Sequence, residues 1–454
     1  MRRAVADLAL AALLLSALAG TLHLGAVEAA TEVNGVISSS TTWTKANSPY
    51  NLTGSILIDN GVVLTIMAGV TVNLNGNILM VNGTLSAKGT SSNYIEFNGG
   101  EIIFTPFSNG WNRRTGSGCI ISSAVLASPI SILGSSPMIS NCSISCTSNP
   151  IDISGGSPIV SGNNISAVEH SDSYGNLQRT DVGILLSNNS TAIITENVIS
   201  GFFDKACISI MGGSPIIQRN VIALSVGIDL SVIAFDYADP TVQNNTFAYC
   251  SEAILTGSST TALTLTVSYN NFENSTKYNL YWVYPANLNA AYNWWGTTDA
   301  KGINQTIYDF KNDFSSGSVN FVPFLTEPNS QAPPTPAAMN PPKISVLSPL
   351  SQTYNESSVP LLFILDKPAN WTGYSLDGFQ NITVTGNATL TGLSDGNHSF
   401  VIYGNNSYGK IGTSETVHFV VNSPTPWILT AATVVVVVAI VGIGLLVYFK
   451  KRNH

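Results

Sequence analysis

Charge is scarce in this chain. Only 10% of its 454 residues are Asp, Glu, Lys or Arg, where a globular domain carries about 25%. With 26 acidic against 18 basic residues the net charge is −8, which argues against nucleic acid and anionic membrane surfaces as partners. Five cysteines are too few, and odd in number, for a disulfide framework. His170, His398 and His418 are scattered singly, without metal-ligand spacing. No metal and no cofactor is therefore expected. Long apolar runs are confined to the two ends.

Those ends are informative. Residues 1–30 carry Arg2 and Arg3, an apolar run over 8–18 and small residues up to Ala29. That is the pattern of a secretory signal cut after Ala29 or Ala30; an uncleaved anchor is the other reading. Residues 427–449 are uncharged and long enough, as a helix, to span a bilayer. Trp427 and Tyr448 fit the two interfaces, and Lys450, Lys451 and Arg452 follow as a positive-inside stop. The expectation is a cell-surface protein with one C-terminal membrane helix, an outside ectodomain, a juxtamembrane stretch at 423–426 and a cytoplasmic tail at 450–454.

Ser, Thr, Asn and Gly replace charge. Fifteen Asn-x-Ser/Thr sequons occur, which in an exported chain are glycosylation acceptors. The candidates are Asn51, Asn82, Asn164, Asn189, Asn274, Asn304, Asn355, Asn370, Asn381, Asn387, Asn397 and Asn405.

The Asn and Ile residues are periodic. The segment Pro158 to Ile165 returns in degenerate form at about 23-residue intervals. One column holds Ile139, Val160, Ile194, Ile217, Val242 and Val267, and a second holds Ile144, Ile165, Ile199, Ile222, Phe247 and Phe272. Between them recur Asn163, Asn197, Asn220, Asn245 and Asn270, with Cys142 in the first copy and Asn293 in a later one. The units are too short for helix pairs, and their apolar positions are β-branched and alternate with polar ones. A repeated corner asparagine tolerates left-handed backbone and can hydrogen-bond along a stack. The pattern predicts an all-β chain: a right-handed parallel β-helix over 31–327, of about a dozen coils. Strands over 56–58, 62–66, 70–74, 78–81, 95–97 and 102–104 open it. Residues 328–342 read as a stiff proline-rich linker. Residues 343–422 read as a small Ig-like β-sandwich, with hairpin signals at Asp377-Gly378 and Asp395-Gly396. Cys119 and Cys142 are one repeat apart, so a disulfide across stacked strands and two stacked buried thiols are both open.

The Ser-Pro-Ile-[Ile/Val]-x-x-Asn-x-Ile repeat resembles those of the pectin-lyase-like superfamily, especially its carbohydrate-binding/sugar-hydrolase repeats and the repeat domain of copper-centre maturation proteins. Gly61 to Val70 and Asn293-Trp294-Trp295-Gly296-Thr297 look like the ends of such modules in archaeal-type surface proteins. Tyr374 to Gly378 and Leu393 to Ser399 are similar to their membrane-proximal sandwich. The resemblance implies fold and architecture; its motifs are turn and core residues and imply no activity.

Catalysis on this fold would need paired carboxylates about 5–9.5 Å apart or, as the resemblance implies for lyases, an acidic calcium cluster with a basic residue. Ser131, Asp152, Ser209 and Asp229 fall in one outward column with Leu185 on the rung between, which puts Asp152 and Asp229 about 14 Å apart. That is too far, and no catalytic residue is expected. Glu196 and Arg219 read as a cross-rung ion pair.

One interval carries an insertion of about eleven residues. It places Glu169, His170, Asp172, Tyr174, Arg179 and Asp181 in a loop beside Phe202, Phe203, Asp204 and Lys205, with Tyr249 and Glu252 at the same corner further on. Tyr174, Phe202, Phe203 and Tyr249 with Glu169, Asp172, Arg179 and Asp181 are the candidate carbohydrate contacts, because aromatic faces beside polar groups hold sugar rings. A solvated loop packing its aromatics on the turn below is the plainer alternative. Tyr281, Trp282, Tyr284, Trp294 and Trp295 read as the C-terminal closure of the stack. The expected function is non-catalytic binding of a polysaccharide or a cell-envelope glycoprotein. A polysaccharide lyase or glycoside hydrolase, and a copper-maturation-like periplasmic repeat protein, are the alternatives.

Overall fold

The structure, a computed structural model, describes residues 30–171, 174–230, 237–257 and 263–423, with 439–441, 443, 445, 448 and 450 near the C-terminus. It divides into two compact units, 1–334 and 335–454.

The first unit is a parallel β-helix of about 11 turns. Each full turn contributes a strand to three faces. The first face runs from Thr41–Trp43 through Ile159–Ser161 to Thr266–Ser268. The second face includes Asn164–Ser166, Val198–Ser200, Val221–Ala223 and Thr246–Ala248. The third includes Ile130–Leu133, Ile151–Ser154, Val182–Ser187 and Ala206–Ile210. The expected columns hold: Ile139 pairs with Val160, then Ile194, Ile217, Val242 and Val267. Ile165, Ile199, Ile222, Phe247 and Phe272 form the next column. All of these are buried. A buried aliphatic side chain of this size contributes about 1.5–3 kcal/mol, and stacking identical rungs makes the core continuous.

The corner between the first and second faces is an asparagine ladder. The backbone N–H of Asn163, Asn197, Asn220, Asn245 and Asn270 each donates to Oδ1 of the next ladder asparagine, ending on Asn293, at 2.8–2.9 Å. Cys142 begins it by donating to Asn163. The left-handed residue is not the ladder asparagine, as the sequence suggested, but the one before it: Gly162, Glu196, Arg219, Asn244, Tyr269 and Tyr292 all have φ between 54° and 70°. The asparagine itself must keep its amide inside the corner, so the residue before it makes the turn.

Cys119 and Cys142 do not stack, so both alternatives, the disulfide across stacked strands and the stacked pair of buried thiols, are corrected. The coil from Ile121 to its partner Ile139 is shorter than its neighbours. That slip puts Cys142 on the rung of Ala124 while Cys119 precedes Ile120, the partner of Met138. All five cysteines are buried free thiols.

Phe272 stacks on Phe247 at 5.3 Å and on Trp295 at 4.8 Å. Trp282 and Trp295 are buried, as expected of a closing layer. The chain then turns back along the asparagine corner. The N–H of Asn329 donates to Asn271 Oδ1 at 2.8 Å, its side chain donates to Asn244 Oδ1 at 2.9 Å, and Thr246 donates to the carbonyl of Pro333. Thus the first half of the proline-rich stretch is a strap on the stack. Proline supplies an extended backbone whose carbonyls remain free to accept.

The second unit has a three-stranded sheet (Ile344–Ser348, Val359–Leu365, Ala388–Leu390) and a six-stranded sheet centred on Gly396–Asn405. Both contribute to one core: Val359, Leu361 and Leu390 from the first, Phe400, Ile402, Phe419 and Val421 from the second. Most of the predicted span 427–449 lies outside the described residues; 439–441, 443, 445 and 448 are helical and exposed. Among the described residues no helix is long and apolar enough to cross a membrane.

Candidate functional site

After Asn164–Ser166 the chain does not turn directly into the third face. It forms an antiparallel hairpin of Glu169–Ser171 and Leu177–Arg179, with Glu169 opposite Arg179 and His170 opposite Gln178. This is the insertion read from the repeat interval. Arg179 Nε lies 2.8 Å from Glu169 Oε1, and its guanidinium stands 5.9 Å from the ring centre of Phe202. The pair is partly exposed, so it orients Arg179 more than it stabilises the fold. At the base of the hairpin Lys205 Nζ meets Asp181 Oδ2 at 2.9 Å. The N–H groups of Asp204 and Lys205 donate to the carbonyls of Thr180 and Asp181, which locks the two corners together.

The candidate residues divide accordingly. Glu169, Arg179 and Phe202 come together, while Asp181 pairs with Lys205 at the hairpin base; Phe202 is 46% exposed and Tyr174, toward the hairpin tip, is 89% exposed. Tyr249 is half-buried in left-handed backbone, φ 56°. The register sets it two rungs beyond Gly201, about 10 Å along the stack. Burial, and then the charge of Glu273, raise its phenol above the ordinary range. Asp172 lies outside the described residues. Phe203 is corrected: it is 5% exposed and belongs to the core. A Cβ on Gly183 would stand 3.1 Å from its ring and 2.5 Å from the carbonyl oxygen of Cys207, so a glycine is required beside it. Successive residues of extended chain point to opposite sides; with Phe202 outside, Phe203 is inside. Glu252 is buried and meets Lys277 at 3.1 Å rather than joining the hairpin.

The outward column of the third face has the register expected from sequence. Ser131 pairs with Asp152, Asp152 with Leu185, Leu185 with Ser209, and Ser209 with Asp229. Sequence reasoning missed Glu101. Ser131 Oγ donates to Glu101 Oε1 at 2.5 Å. Burial, and then the charge of Glu101, hold the Asp152 carboxyl above the usual carboxylate range. Glu101 is not in the column, but its long side chain reaches the column diagonally. Glu196 and Arg219 form the expected cross-rung pair at 3.3 Å.

Nine of the twelve glycosylation candidates are exposed: Asn164, Asn189, Asn274, Asn304, Asn355, Asn370, Asn381, Asn387 and Asn397. Asn51, Asn82 and Asn405 are half-buried, and Asn51 accepts from Asn73, which accepts from Asn98. Among the described residues no group of three His, Cys, Asp or Glu side chains could hold a metal ion. No protein-family model, curated protein or solved structure matches this chain.

Proposed function

We propose that this chain is a glycan-binding β-helix of the pectin-lyase-like kind, exported, glycosylated and held at the cell surface by residues 427–449, with 343–422 as an Ig-like module next to the anchor. The observation that carries the reading is the hairpin inserted into a single coil. It carries exposed Tyr174 toward its tip, holds Arg179 on Glu169 and over exposed Phe202, and pairs Asp181 with Lys205 at its base. An aromatic face takes the apolar side of a sugar ring while charged and amide groups take its hydroxyls. The parallel coil is compatible with such binding, and the exposed sequons and the two apolar ends support the location. The test is a panel of polysaccharides presented to the purified 31–422 ectodomain, with binding and product release read together. Binding without release is expected; release of reducing or unsaturated ends would end the non-catalytic reading.

A second reading, glycoside hydrolase, draws on Glu101 and Asp152. Burial, and then the charge of Glu101, raise the Asp152 carboxyl above the usual range, which is the direction a general acid needs. If products do appear, Asp152→Asn should abolish their release and leave binding intact.

A further inference from the structure

A groove of about 570 Å³ lies on the outside of the first face, and its lining holds no acidic side chain. Its floor is Val63, Thr84, Ser86 and Lys88, and its roof is the loop 109–118. In a chain of net charge −8 that is an unusual place. Arg113 and Arg114 occupy the loop tip between Asn112 and Gly116, two residues that line the groove. Lys88, Arg113 and Arg114 are all exposed, and among the described residues none is in an ion pair. By contrast Arg179, Lys205, Arg219, Lys277 and Lys311 each face a carboxylate.

The loop is built to hold its shape. Asn112 Oδ1 accepts from the N–H groups of Arg114 and Thr115, and Asn112 bridges to Ser117. Asn109 Nδ2 donates to Thr84 Oγ1 at 2.7 Å, which pins the roof to the floor. Gly118 has φ +104°, and a Cβ there would fall 2.0 Å from the carbonyl oxygen of Gly110. Lys88 Nζ sits 5.5 Å from the centre of the Trp111 ring, so the ammonium is held at the groove edge. Among the described residues the N–H groups of Gly110 and Gly118 donate to no protein acceptor. Glycine-rich turns with unused N–H groups and flanking arginines bind oxyanions.

We propose that this groove binds the anionic ester groups, sulfate or phosphate, of an acidic glycan. The inference rests on the reading of the stack as a glycan binder and names the chemistry of a second contact, on a different face from the hairpin corner. Lys88 and the two arginines neutralise the ester while the loop amides orient it.

The full chain in detergent is titrated with dextran, dextran sulfate, a phosphomannan and single-stranded DNA at roughly physiological salt. Both ester-bearing polysaccharides, or one of them, should bind more tightly than their neutral counterparts, and which one does so identifies the ester. Arg113→Ala/Arg114→Ala should weaken that binding about tenfold or more and leave neutral-glycan binding unchanged. Lys301→Ala/Lys343→Ala, an equal loss of charge elsewhere, should leave both unchanged. Equal loss in the two double variants, or DNA bound as tightly as the ester glycans, would reduce the groove to unspecific charge and overturn the proposal. Neutral-glycan binding with no preference for either ester overturns this proposal alone; no glycan binding of any kind overturns the parent reading with it.

Discussion

The backbone N–H and the side-chain amide of Asn220 both donate to Oδ1 of Asn245, each at 2.9 Å. Asn220 Oδ1 receives the same two bonds from Asn197, and its Nδ2 also reaches the carbonyl of Ile194. Only a carboxamide of this length is acceptor and double donor at once. Asn220→Leu keeps the volume but strips the acceptor from the buried N–H of Asn197 and one of two acceptors from its Nδ2, which keeps the carbonyl of Val160. The orphaned N–H costs about 1–3 kcal/mol, so the urea midpoint of the ectodomain should fall clearly. A midpoint within error of wild type would mean that the ladder records the stacking without stabilising it.

The thiols give a chemical check on the register. Burial pushes the Cys119, Cys142 and Cys146 thiols up to about 11, and Cys207 well above its ordinary value. A thiolate-selective reagent at neutral pH should therefore label none of the five in the native protein and all five in urea without reductant. Only three labelled cysteines in urea would restore a disulfide.

In the second unit His398 places Nδ1 2.7 Å from Asp377 Oδ2 and Nε2 2.8 Å from the carbonyl of Ser394. Both partners are acceptors, so only the imidazolium satisfies both. Burial opposes that charge, but the bonds to Ser394 and Asp377 outweigh it and raise the pKa above 6.5. A folded pKa above the unfolded one gives stabilisation that is complete below pH 6.5 and lost as pH rises through the folded value. The 343–422 unit should therefore melt at lower temperature on going from mildly acidic to mildly alkaline buffer. His398→Phe should flatten that dependence, and an NMR titration placing His398 at or below 6.5 would contradict it.

Orientation is testable on cells. On the proposed topology, protease added outside should remove residues up to about 425 and leave a tag placed after His454 intact, because a basic cluster such as Lys450, Lys451 and Arg452 favours the cytoplasmic side of a membrane helix. Loss of the tag to external protease would reverse the topology.

How much could be read in advance depended on whether a residue repeats. Ile199 and Phe272 were legible because a buried column demands the same chemistry on every rung, and the Asn column because its bonds run from copy to copy. Features that occur once left no such trace. The short coil that separates Cys119 from Cys142, the strap from Asn329 to Pro333, and the reach of Glu101 to Ser131 are each set by tertiary contact. Phe202 and Phe203 were indistinguishable by type; only the direction of one extended segment sorts them.

That sorting decides the last prediction. With Phe203 inside, the exposed aromatics of the corner are Tyr174 and Phe202, and Arg179 holds its guanidinium over Phe202 and its Nε on Glu169. A ring stacked on an exposed aromatic gains about 1–3 kcal/mol, by analogy with base stacking. Tyr174→Ala/Phe202→Ala should then weaken glycan binding about tenfold or more, since 1.4 kcal/mol is a factor of ten. Its melting temperature should stay at the wild-type value, because neither ring is in the core. Phe203→Ala should do the reverse, costing about 3–5 kcal/mol of stability and altering binding only through the fold. A Tyr174/Phe202 variant that binds as well as wild type would remove the corner from the binding surface.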